Sequence, residues 1–267
     1  MGENQKGSTM RRILVTGSGG QLGLTLQEQA HDFTEVSFDF RTSKELDITR
    51  RAQVTQVFQQ GEYDFCINCA AYTNVEEAEK NPNKAFAVNA EGVKNLAEAC
   101  RIKGTTLIHL STDYVFDGEK KGGYTSDDTT NPINVYGKSK LAGEKFIQQI
   151  LPNHFIIRAS WLYSKKYGHN FYRTIVKKAK LGEELHITDA QKGCPTNTEA
   201  LAIFILKEIV MGNKPFGIYH FTDGKPMTWF DFAKQIVDEN GLTGKVKLVL
   251  DSNYRTFAKR PKNSVLS

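Results

Sequence analysis

The sequence lacks the features that mark membrane and secreted proteins. No apolar run reaches the roughly 18 residues that a membrane-spanning helix needs, and residues 1–9 are polar, without the apolar stretch of a secretory signal. We expect these nine residues to be a disordered leader or tag, with Met10 a plausible natural start. Internal repeats and low-complexity tracts are absent as well. These absences predict a globular protein with no membrane partner.

Charge of one sign is in only small excess. The chain carries 35 Lys and Arg against 30 Asp and Glu, a formal net charge of +5. The densest basic stretch, residues 165–180, fits a solvated helix face better than a nucleic-acid surface. We therefore predict no nucleic-acid partner, although a mildly positive protein suits anionic small ligands.

Cysteine is scarce, with 4 residues in 267. Cys66 and Cys69 have the C-x-x-C spacing of a zinc or redox motif, but they lie in an apolar run typical of a strand, where residues three apart point to opposite faces. No second Cys or His pair follows at zinc spacing. We predict buried free thiols, which fit a reducing cytoplasm. No carboxylate cluster has the spacing of a metal site, and a surface Mg²⁺ is left open.

Strand and helix patterns alternate through the first half of the chain. Several of the strands are apolar throughout, which is typical of a parallel sheet covered on both faces. The fold class we predict is α/β, a doubly wound parallel sheet (Rossmann-like) with a smaller C-terminal substrate-binding region. The expected dinucleotide-binding domain is 10–158, and residues 159–267 form mainly the substrate-binding region, interleaved with the last strands. Predicted strands are 12–16, 36–39, 65–69, 106–110 and 155–158, and predicted helices are 21–30, 50–59, 82–100, 135–150, 170–181, 199–211 and 228–240.

A glycine-rich segment follows the first predicted strand and begins the first helix. Gly17, Gly20 and Gly23 have the spacing G-x-x-G-x-x-G, a variant of the dinucleotide-binding fingerprint. Gly17 permits a tight turn, Gly20 lets the backbone approach a pyrophosphate, and Gly23 allows close packing of helix on strand. The first helix, which starts with Gln21 and Leu22, then directs its free N–H groups at the phosphates.

Two charged residues at the end of the second strand bear on the choice of dinucleotide. Asp39 lies 22 positions after Gly17, close to the ~20 expected for an acid that hydrogen-bonds the adenosine ribose. Such an acid favours NAD because it repels a 2′-phosphate. Arg41 could instead pair with that phosphate. We therefore predict that both NADH and NADPH are used.

Three polar residues form a candidate catalytic set. Thr112 ends a predicted parallel strand, where open α/β sheets place their chemistry. Tyr136 and Lys140 are four apart, so on a helix they project from one face. We expect the lysine ammonium to lower the pKa of the phenol, so that Tyr136 can donate a proton to a carbonyl oxygen as hydride arrives at carbon. Thr112 would hold the same oxygen, and Lys140 could also bind the nicotinamide ribose.

The ordered motifs resemble those of the dTDP-4-dehydrorhamnose reductase family, within the extended short-chain dehydrogenases, over nearly all of residues 10–267. The motifs are TGSGGQLG at 16–23, LDIT at 46–49, NCAAYT at 68–73, STDYVFDG at 111–118, YGKSK at 136–140, RASWLY at 158–163, NF at 170–171, PT at 195–196 and RPKNS at 260–264. The family pattern continues beyond the last motif, and we expect the substrate-side wall to be incomplete here.

The resemblance implies an activity and residue roles. Members of the family reduce the 4-keto group of dTDP-4-dehydro-L-rhamnose with NADPH or NADH, a step of dTDP-rhamnose biosynthesis that supplies cell-surface polysaccharide precursors. The catalytic trio would be Thr112, Tyr136 and Lys140. Asp47 and Ile48 would lie near the adenine, Ala70, Ala71 and Tyr72 along the cofactor, Val75, Tyr114, Trp161 and Asn170 around the sugar nucleotide, and Arg260 facing the diphosphate. Enzymes of this kind are often homodimers.

Other functions share this fold. A nucleotide-sugar dehydratase needs an Asp-Glu pair directly after the strand-end threonine, whereas here Asp113 is followed by Tyr114. A 4-epimerase would keep its NAD bound and return the hydride, so it would consume no reduced cofactor. A non-catalytic regulatory subunit would bind the dinucleotide without turnover, and the intact trio argues against it.

Overall fold

The computed structural model describes residues 10–267, so the prediction of a leader at 1–9 lies outside the described residues. The strands are β1 (Arg11–Thr16), β2 (Val36–Arg41), β3 (Phe65–Asn68), β4 (Thr106–Thr112), β5 (His154–Ala159), β6 (Leu162–Tyr163), β7 (Leu185–Ile187), β8 (Lys192–Gly193), β9 (Thr196–Asn197), β10 (Gly217–Phe221), β11 (Met227–Thr228) and β12 (Leu248–Leu250). The α-helices are α1 (Gln21–Gln29), α2 (Arg51–Gln60), α3 (Val75–Lys80), α4 (Pro82–Phe86), α5 (Gly92–Lys103), α6 (Val135–Ile150), α7 (Phe171–Lys180), α8 (Thr198–Ile203) and α9 (Trp229–Glu239). Short 3₁₀ turns lie at Ala30–Asp32 and Asp113–Val115, and π-helical turns at Ala87–Glu91 and Phe204–Val210.

Six strands form one sheet in the order β2-β1-β3-β4-β5-β10, and every neighbouring pair is parallel. The predicted doubly wound parallel sheet is therefore confirmed. The chain runs outward from β1 in one direction to β2 and in the other to β3. This reversal leaves a crevice at the carboxyl ends of β1 and β3, where open α/β sheets bind their ligands.

Helices cover both faces of the sheet. On one face, α1, α8 and the π-helical turn after α8 pack on apolar side chains of β1, β3 and β5. On the other face, α2, α5 and α6 bury a second cluster. Strands covered on both sides need apolar residues at successive positions, which explains the continuous apolar runs in the sequence.

The C-terminal region is interleaved with the sheet. β10 adds to the edge of β5, while α7 and α9 pack together around a third cluster with Phe232 at its centre. The last residues return across the carboxyl end of the sheet, where the Tyr124 N–H donates to the Val265 carbonyl and the Lys192 N–H to the Lys262 carbonyl, each at 2.8 Å. No helix within residues 10–267 is both long and apolar enough to cross a membrane.

Candidate active site

The glycine-rich turn lies between β1 and α1. Gly17 has φ +64°, and a Cβ there would be 2.5 Å from the Ala70 backbone nitrogen, so only glycine fits. A Cβ on Gly23 would be 2.5 Å from the Ser18 Cα, so a side chain at this position would collide with the turn before α1. Gly20 is exposed and is the N-cap of α1, with no side-chain cap. The turn therefore offers open backbone N–H groups at a helix N-terminus, which fits a dinucleotide pyrophosphate.

A cleft of about 480 Å³ lies at the carboxyl ends of the strands, next to this turn. It brings together most of the residues predicted to act: Gly20, Gln21, Leu22, Gly23, Ala71, Val75, Thr112, Tyr114, Tyr136, Lys140 and Trp161. It also contains residues that the motifs did not single out for it, among them Cys69, Leu110, His169 and Trp229.

Asp39 and Arg41 pair with each other at the end of β2. The Arg41 guanidinium donates to both carboxylate oxygens of Asp39, at 2.7 and 3.2 Å, and the Tyr63 hydroxyl donates to Asp39 at 2.6 Å. The pair raises the pKa of Arg41 above its ordinary value. Asp39 favours NADH and Arg41 favours NADPH. In the structure the opposite charges of these two side chains largely neutralise each other.

The residues predicted near the adenine have structural contacts of their own. Asp47 Oδ1 accepts hydrogen bonds from the backbone and hydroxyl of Thr49, at 3.0 and 2.7 Å. The Ile48 side chain is buried in the core, and a Cβ on Gly92 would be 2.7 Å from it. The Ile48 carbonyl accepts from Asn95 at 3.0 Å.

Two buried asparagines fix the backbone that follows β3. Asn68 Oδ1 accepts from the Ala70 N–H at 3.1 Å. Asn89 Oδ1 accepts from the Tyr72 N–H at 2.8 Å and its Nδ2 donates to the Tyr72 carbonyl at 2.9 Å. Asn89 lies in the π-helical turn between α4 and α5. In the sequence, Asn89 has the spacing of a residue on the buried face of a helix. Its two hydrogen bonds to the Tyr72 backbone were therefore not predicted.

The predicted catalytic trio converges at one wall of the cleft. Tyr136 and Lys140 lie one turn apart near the start of α6, whose N-cap Asn134 accepts from the Gly137 N–H at 2.7 Å. Thr112 and Tyr136 both line the cleft beside Lys140. The Lys140 ammonium nitrogen is buried and donates to the Leu110 carbonyl at 2.5 Å.

The prediction that Lys140 lowers the pKa of Tyr136 below its ordinary value is wrong. Enclosure by protein raises the pKa of Tyr136 to about 12, more than the nearby Thr112 side chain lowers it. Burial likewise lowers the pKa of Lys140 to about 8. The physical reason is that loss of water disfavours the charged form of each group. The phenol is therefore protonated at neutral pH.

Asp113 lines the cleft next to Thr112 and holds its hydroxyl. Its carboxylate accepts from the Thr112 hydroxyl at 3.0 Å and from the Ser160 hydroxyl at 2.9 Å. Despite these bonds, burial raises the pKa of Asp113 to about 6.

Aromatic side chains form the far wall. Trp161 stacks on Trp229 with ring centroids 3.5 Å apart. Trp161 has φ +48°, a left-handed conformation that costs a non-glycine residue on the order of 1–3 kcal/mol. Gly193 leaves the space for its ring, since a Cβ there would be 2.5 Å from it. Trp229 was not predicted, because nothing in its local sequence connects it to the cleft.

Asn170 and Arg260 are held by other protein groups. Asn170 is the N-cap of α7 and donates to Gln21 Oε1 at 3.1 Å, so it reaches the cleft wall through that residue. Arg260 pairs with Glu76 at 2.5 Å and donates to the Ala258 carbonyl at 3.3 Å. The predicted contacts of both with the nucleotide sugar stay predictions.

All four cysteines are free thiols, as predicted. Cys66, Cys100 and Cys194 are also buried, as predicted, whereas Cys69 is partly exposed and lines the cleft. Across residues 10–267, no group of three or more His, Cys, Asp or Glu side chains is placed to hold a metal ion. The surface Mg²⁺ that the sequence left open thus has no such cluster in the described part of the chain.

The fold and the cleft define a class. A parallel sheet with a glycine turn at its switch point, beside a tyrosine and a lysine one helical turn apart, is the arrangement of a dinucleotide-binding α/β protein of the short-chain dehydrogenase type. Residues 10–267 match the family model described as the RmlD substrate binding domain, and the chain belongs to this family.

Named relatives agree with this placement. The chain is 39% identical to dTDP-4-dehydrorhamnose reductase of Aggregatibacter actinomycetemcomitans, over 96% of this chain and 90% of the relative. It is 37% identical to dTDP-4-keto-6-deoxy-D-glucose reductase of Streptomyces niveus, over 96% and 88%. The crystal structure of the Bacillus anthracis dTDP-4-dehydrorhamnose reductase in complex with NADP has a TM-score of 0.91 and 39% identity, covering 96% of this chain and 90% of that one. The resemblance seen in the motifs is thereby confirmed.

Proposed function

We propose that this protein reduces the 4-keto group of dTDP-4-dehydro-L-rhamnose to dTDP-L-rhamnose, with NADPH or NADH as hydride donor and Tyr136 as proton donor. The observation that carries the proposal is the meeting of Thr112, Tyr136 and Lys140 in one cleft with the glycine turn after β1. The names of the curated relatives and the NADP complex of a relative support it.

The protonation state of Tyr136 suits reduction. Its pKa of about 12 keeps the phenol protonated at neutral pH, so it can act as an acid. When hydride arrives at the carbonyl carbon, the oxygen becomes an alkoxide, which is a stronger base than a phenolate. Proton transfer from Tyr136 to that oxygen is therefore favourable. The reaction consumes one hydride and one proton, and the phenolate then regains its proton from solvent.

The other groups orient the reactants. The Thr112 hydroxyl is held by Asp113 and lines the cleft with Tyr136, where it would position the carbonyl oxygen. The dinucleotide, when bound, supplies the hydride; Gly20 and the start of α1 would hold its pyrophosphate, and Lys140 its nicotinamide ribose. Trp161 and Trp229 would exclude water from the sugar side.

The Asp39–Arg41 pair supports use of both cofactors. With NADH, Asp39 can accept from the ribose hydroxyls while Arg41 stays paired. With NADPH, Arg41 can swing to the 2′-phosphate, and the Tyr63 hydroxyl still donates to Asp39. We further propose a cytoplasmic location and a homodimer, as the free thiols and the class of enzyme suggest.

Dehydration is disfavoured by the residue after Asp113. Tyr114 stands where a dehydratase needs a second carboxylate, and burial raises its pKa, so it does not supply a general base at neutral pH.

The test is stoichiometric cofactor consumption. Protein, NADPH and dTDP-4-dehydro-L-rhamnose are mixed, and the absorbance of the reduced cofactor is followed beside product analysis. We expect one NADPH oxidised for each dTDP-L-rhamnose formed, with NADH also accepted, and no oxidation with dTDP-glucose, which lacks the ketone. A folded protein that oxidises neither cofactor, or that reduces only dTDP-4-keto-6-deoxy-D-glucose, would overturn the proposal.

A further inference from the structure

A chain of buried polar side chains runs beneath the cleft from β1 to α6. The Thr16 hydroxyl donates to Asn68 Oδ1 at 2.7 Å. Asn68 Nδ2 lies 3.0 Å from His109 Nδ1, and His109 Nε2 lies 3.4 Å from Lys140 Nζ. All four side chains are at most 2% exposed. The catalytic lysine is thus joined to three strands by groups that the reaction described above does not use.

The hydrogen bonds of Asn68 determine the tautomer of His109. The Ala70 backbone N–H can only donate, so the Asn68 atom that it contacts must be the oxygen. The other end of the amide is then the NH₂ group, and it donates to His109 Nδ1. Because Nδ1 accepts, the single proton of the neutral imidazole must be on Nε2. Burial and the Lys140 charge hold the pKa of His109 well below its ordinary value, so the ring is neutral.

This tautomer presents an N–H to Lys140. An ammonium group has three donors and no acceptor, so a protonated Lys140 has nothing to offer the His109 Nε2–H. A neutral amine has a lone pair that accepts from Nε2–H, and it keeps two N–H donors, one of which satisfies the Leu110 carbonyl. The contact is therefore a hydrogen bond in the neutral state of Lys140 and a clash of donors in the charged state.

We propose that His109 is a positioning residue that sets the proton affinity of Lys140, by holding its Nε2–H against Nζ and favouring the neutral amine. Its consequence for turnover rests on the proposed function, but the tautomer and the titration of Lys140 do not. A lysine tuned in this way can exchange a proton near neutral pH, which a free lysine with its pKa near 10.4 cannot do as readily.

Two side chains near Lys140, those of Glu144 and Cys69, would favour its charged form if they were ionised. Burial lowers the pKa of Lys140, whereas the negative charges of Glu144, one turn later on α6, and Cys69, directly after β3, would raise it. Glu144 is bound to the buried Arg158 guanidinium of β5 at 2.7 Å, and burial raises the pKa of the Cys69 thiol to about 12. Tyr136, one turn earlier, is neutral. His109 is therefore the group on β4 that opposes the charge on Lys140.

The first measurement is the tautomer of His109 in the ligand-free full chain. Nitrogen-15 NMR distinguishes protonated from unprotonated ring nitrogens, and the His109→Gln variant identifies the signals among the six histidines. We expect Nε2 protonated and Nδ1 unprotonated across neutral pH. An Nδ1–H tautomer, or an imidazolium at pH 7, would overturn the proposal.

The second measurement is the titration of Lys140, followed by the carbon-13 shift of its Cε and assigned with Lys140→Met. In His109→Leu the donor is lost, and we expect the midpoint to rise by about one pH unit. His109→Gln is the matched control, because its amide can keep an N–H at the Nε2 position, and we expect a rise of less than about half a unit. An unchanged midpoint in His109→Leu, or equal shifts in both variants, would contradict the proposal.

Asn68→Asp gives an independent test, because the aspartate side chain has nearly the same shape as the asparagine it replaces. The carboxylate replaces the NH₂ donor by an acceptor, so we expect the proton of His109 to move to Nδ1, and the midpoint of Lys140 to rise. A tautomer that stays Nε2–H would contradict the role assigned to the hydrogen bond from Asn68.

In wild type and the His109 variants, the basic limb of the pH profile of kcat/KM should move with the Lys140 midpoint. A protein without turnover would sink the proposed function, while the two NMR results would still decide the role of His109.

Discussion

At the scale of single residues, burial decides the protonation states in the cleft. Asp113 illustrates this, because it accepts hydrogen bonds from Thr112 and Ser160 and still has its pKa raised to about 6. Loss of water therefore destabilises the charged carboxylate by more than its hydrogen bonds stabilise it. The same balance keeps Tyr136 protonated.

Asp113 therefore predicts a pH dependence of stability. Its pKa in the folded protein, about 6, lies above its ordinary 3.8, so the folded state binds more protons between these values. The stability that this group contributes is present at low pH and is lost as the pH rises toward 6. Relative to Asp113→Asn, we expect the free energy of unfolding of wild type to fall by ~2 kcal/mol between about pH 4.5 and pH 7.5. Urea titrations at both pH values check this, and parallel profiles of the two proteins would contradict it.

Sequence reasoning predicted that Thr112, Tyr136 and Lys140 meet in one cleft, but it missed the contacts of the groups around them. Tyr136 and Lys140 are predictable because a spacing of four places them on one helix face. The sign of the Tyr136 pKa shift was not, since it depends on enclosure by distant segments. The roles of Asn89 and His109 also depend on partners on other elements, at 17 and 31 positions' separation.

At the scale of elements, the turn between β1 and α1 shows how glycines shape the backbone at the proposed dinucleotide site. Gly17 and Gly104 both have positive φ, +64° and +71°, and so both are positions where alanine is strained. They differ in surroundings: a Cβ on Gly17 would be 2.5 Å from the Ala70 nitrogen, whereas a Cβ on Gly104, at the end of α5, meets nothing within 4 Å.

This difference provides a matched pair of variants. We expect Gly104→Ala to cost about 1–2 kcal/mol of stability through backbone strain alone, with unchanged affinity for NADPH. Gly17→Ala must also displace the turn, so we expect a larger loss of stability and at least a tenfold weaker affinity, since about 1.4 kcal/mol suffices for that. Urea denaturation and calorimetric titration measure the two quantities. Equal losses of NADPH affinity in both variants would show that the turn does not bind the dinucleotide.

Most elements of the first half were predictable, and those of the second half only in part. The helix α3 was not predicted, and the predicted helix 82–100 is divided by the π-helical turn at Ala87–Glu91. The apolar runs of β1, β3, β4 and β5 have the length and composition of buried strands, and the structure confirms them. The short strands β6 to β9 have two or three residues each and carry no periodic signal. β10 was also missed, because its five residues are only partly buried and its place at the sheet edge is set by β5.

At the scale of the whole molecule, the two predicted regions share one core. The cluster on one face of the sheet joins β1, β3 and β5 to Leu201, Ile205 and Ile209, which lie beyond the expected boundary at 158. β10 also covers the edge of β5. The cleft likewise draws Tyr136 from one region and Trp161 from the other.

Separation of the two regions should therefore fail. A fragment of residues 10–158 would expose the apolar face under α8 and an unpaired edge of β5. We expect it to aggregate or to unfold without a cooperative transition, and to bind no NADPH, as measured by circular dichroism melting and calorimetric titration. A soluble fragment that melts cooperatively and binds NADPH as the full chain does would contradict the shared core.

The chemistry proposed for the cleft depends on the Tyr136 phenol, and replacing Tyr136 by Phe tests it while preserving the ring. We expect kcat for reduction of dTDP-4-dehydro-L-rhamnose to fall by about 10²–10⁴, because the proton donor is lost. The dissociation constant for NADPH and the melting temperature should stay close to those of wild type, since the ring still packs against Tyr114. A Tyr136→Phe protein that turns over at the wild-type rate would show that another group protonates the alkoxide.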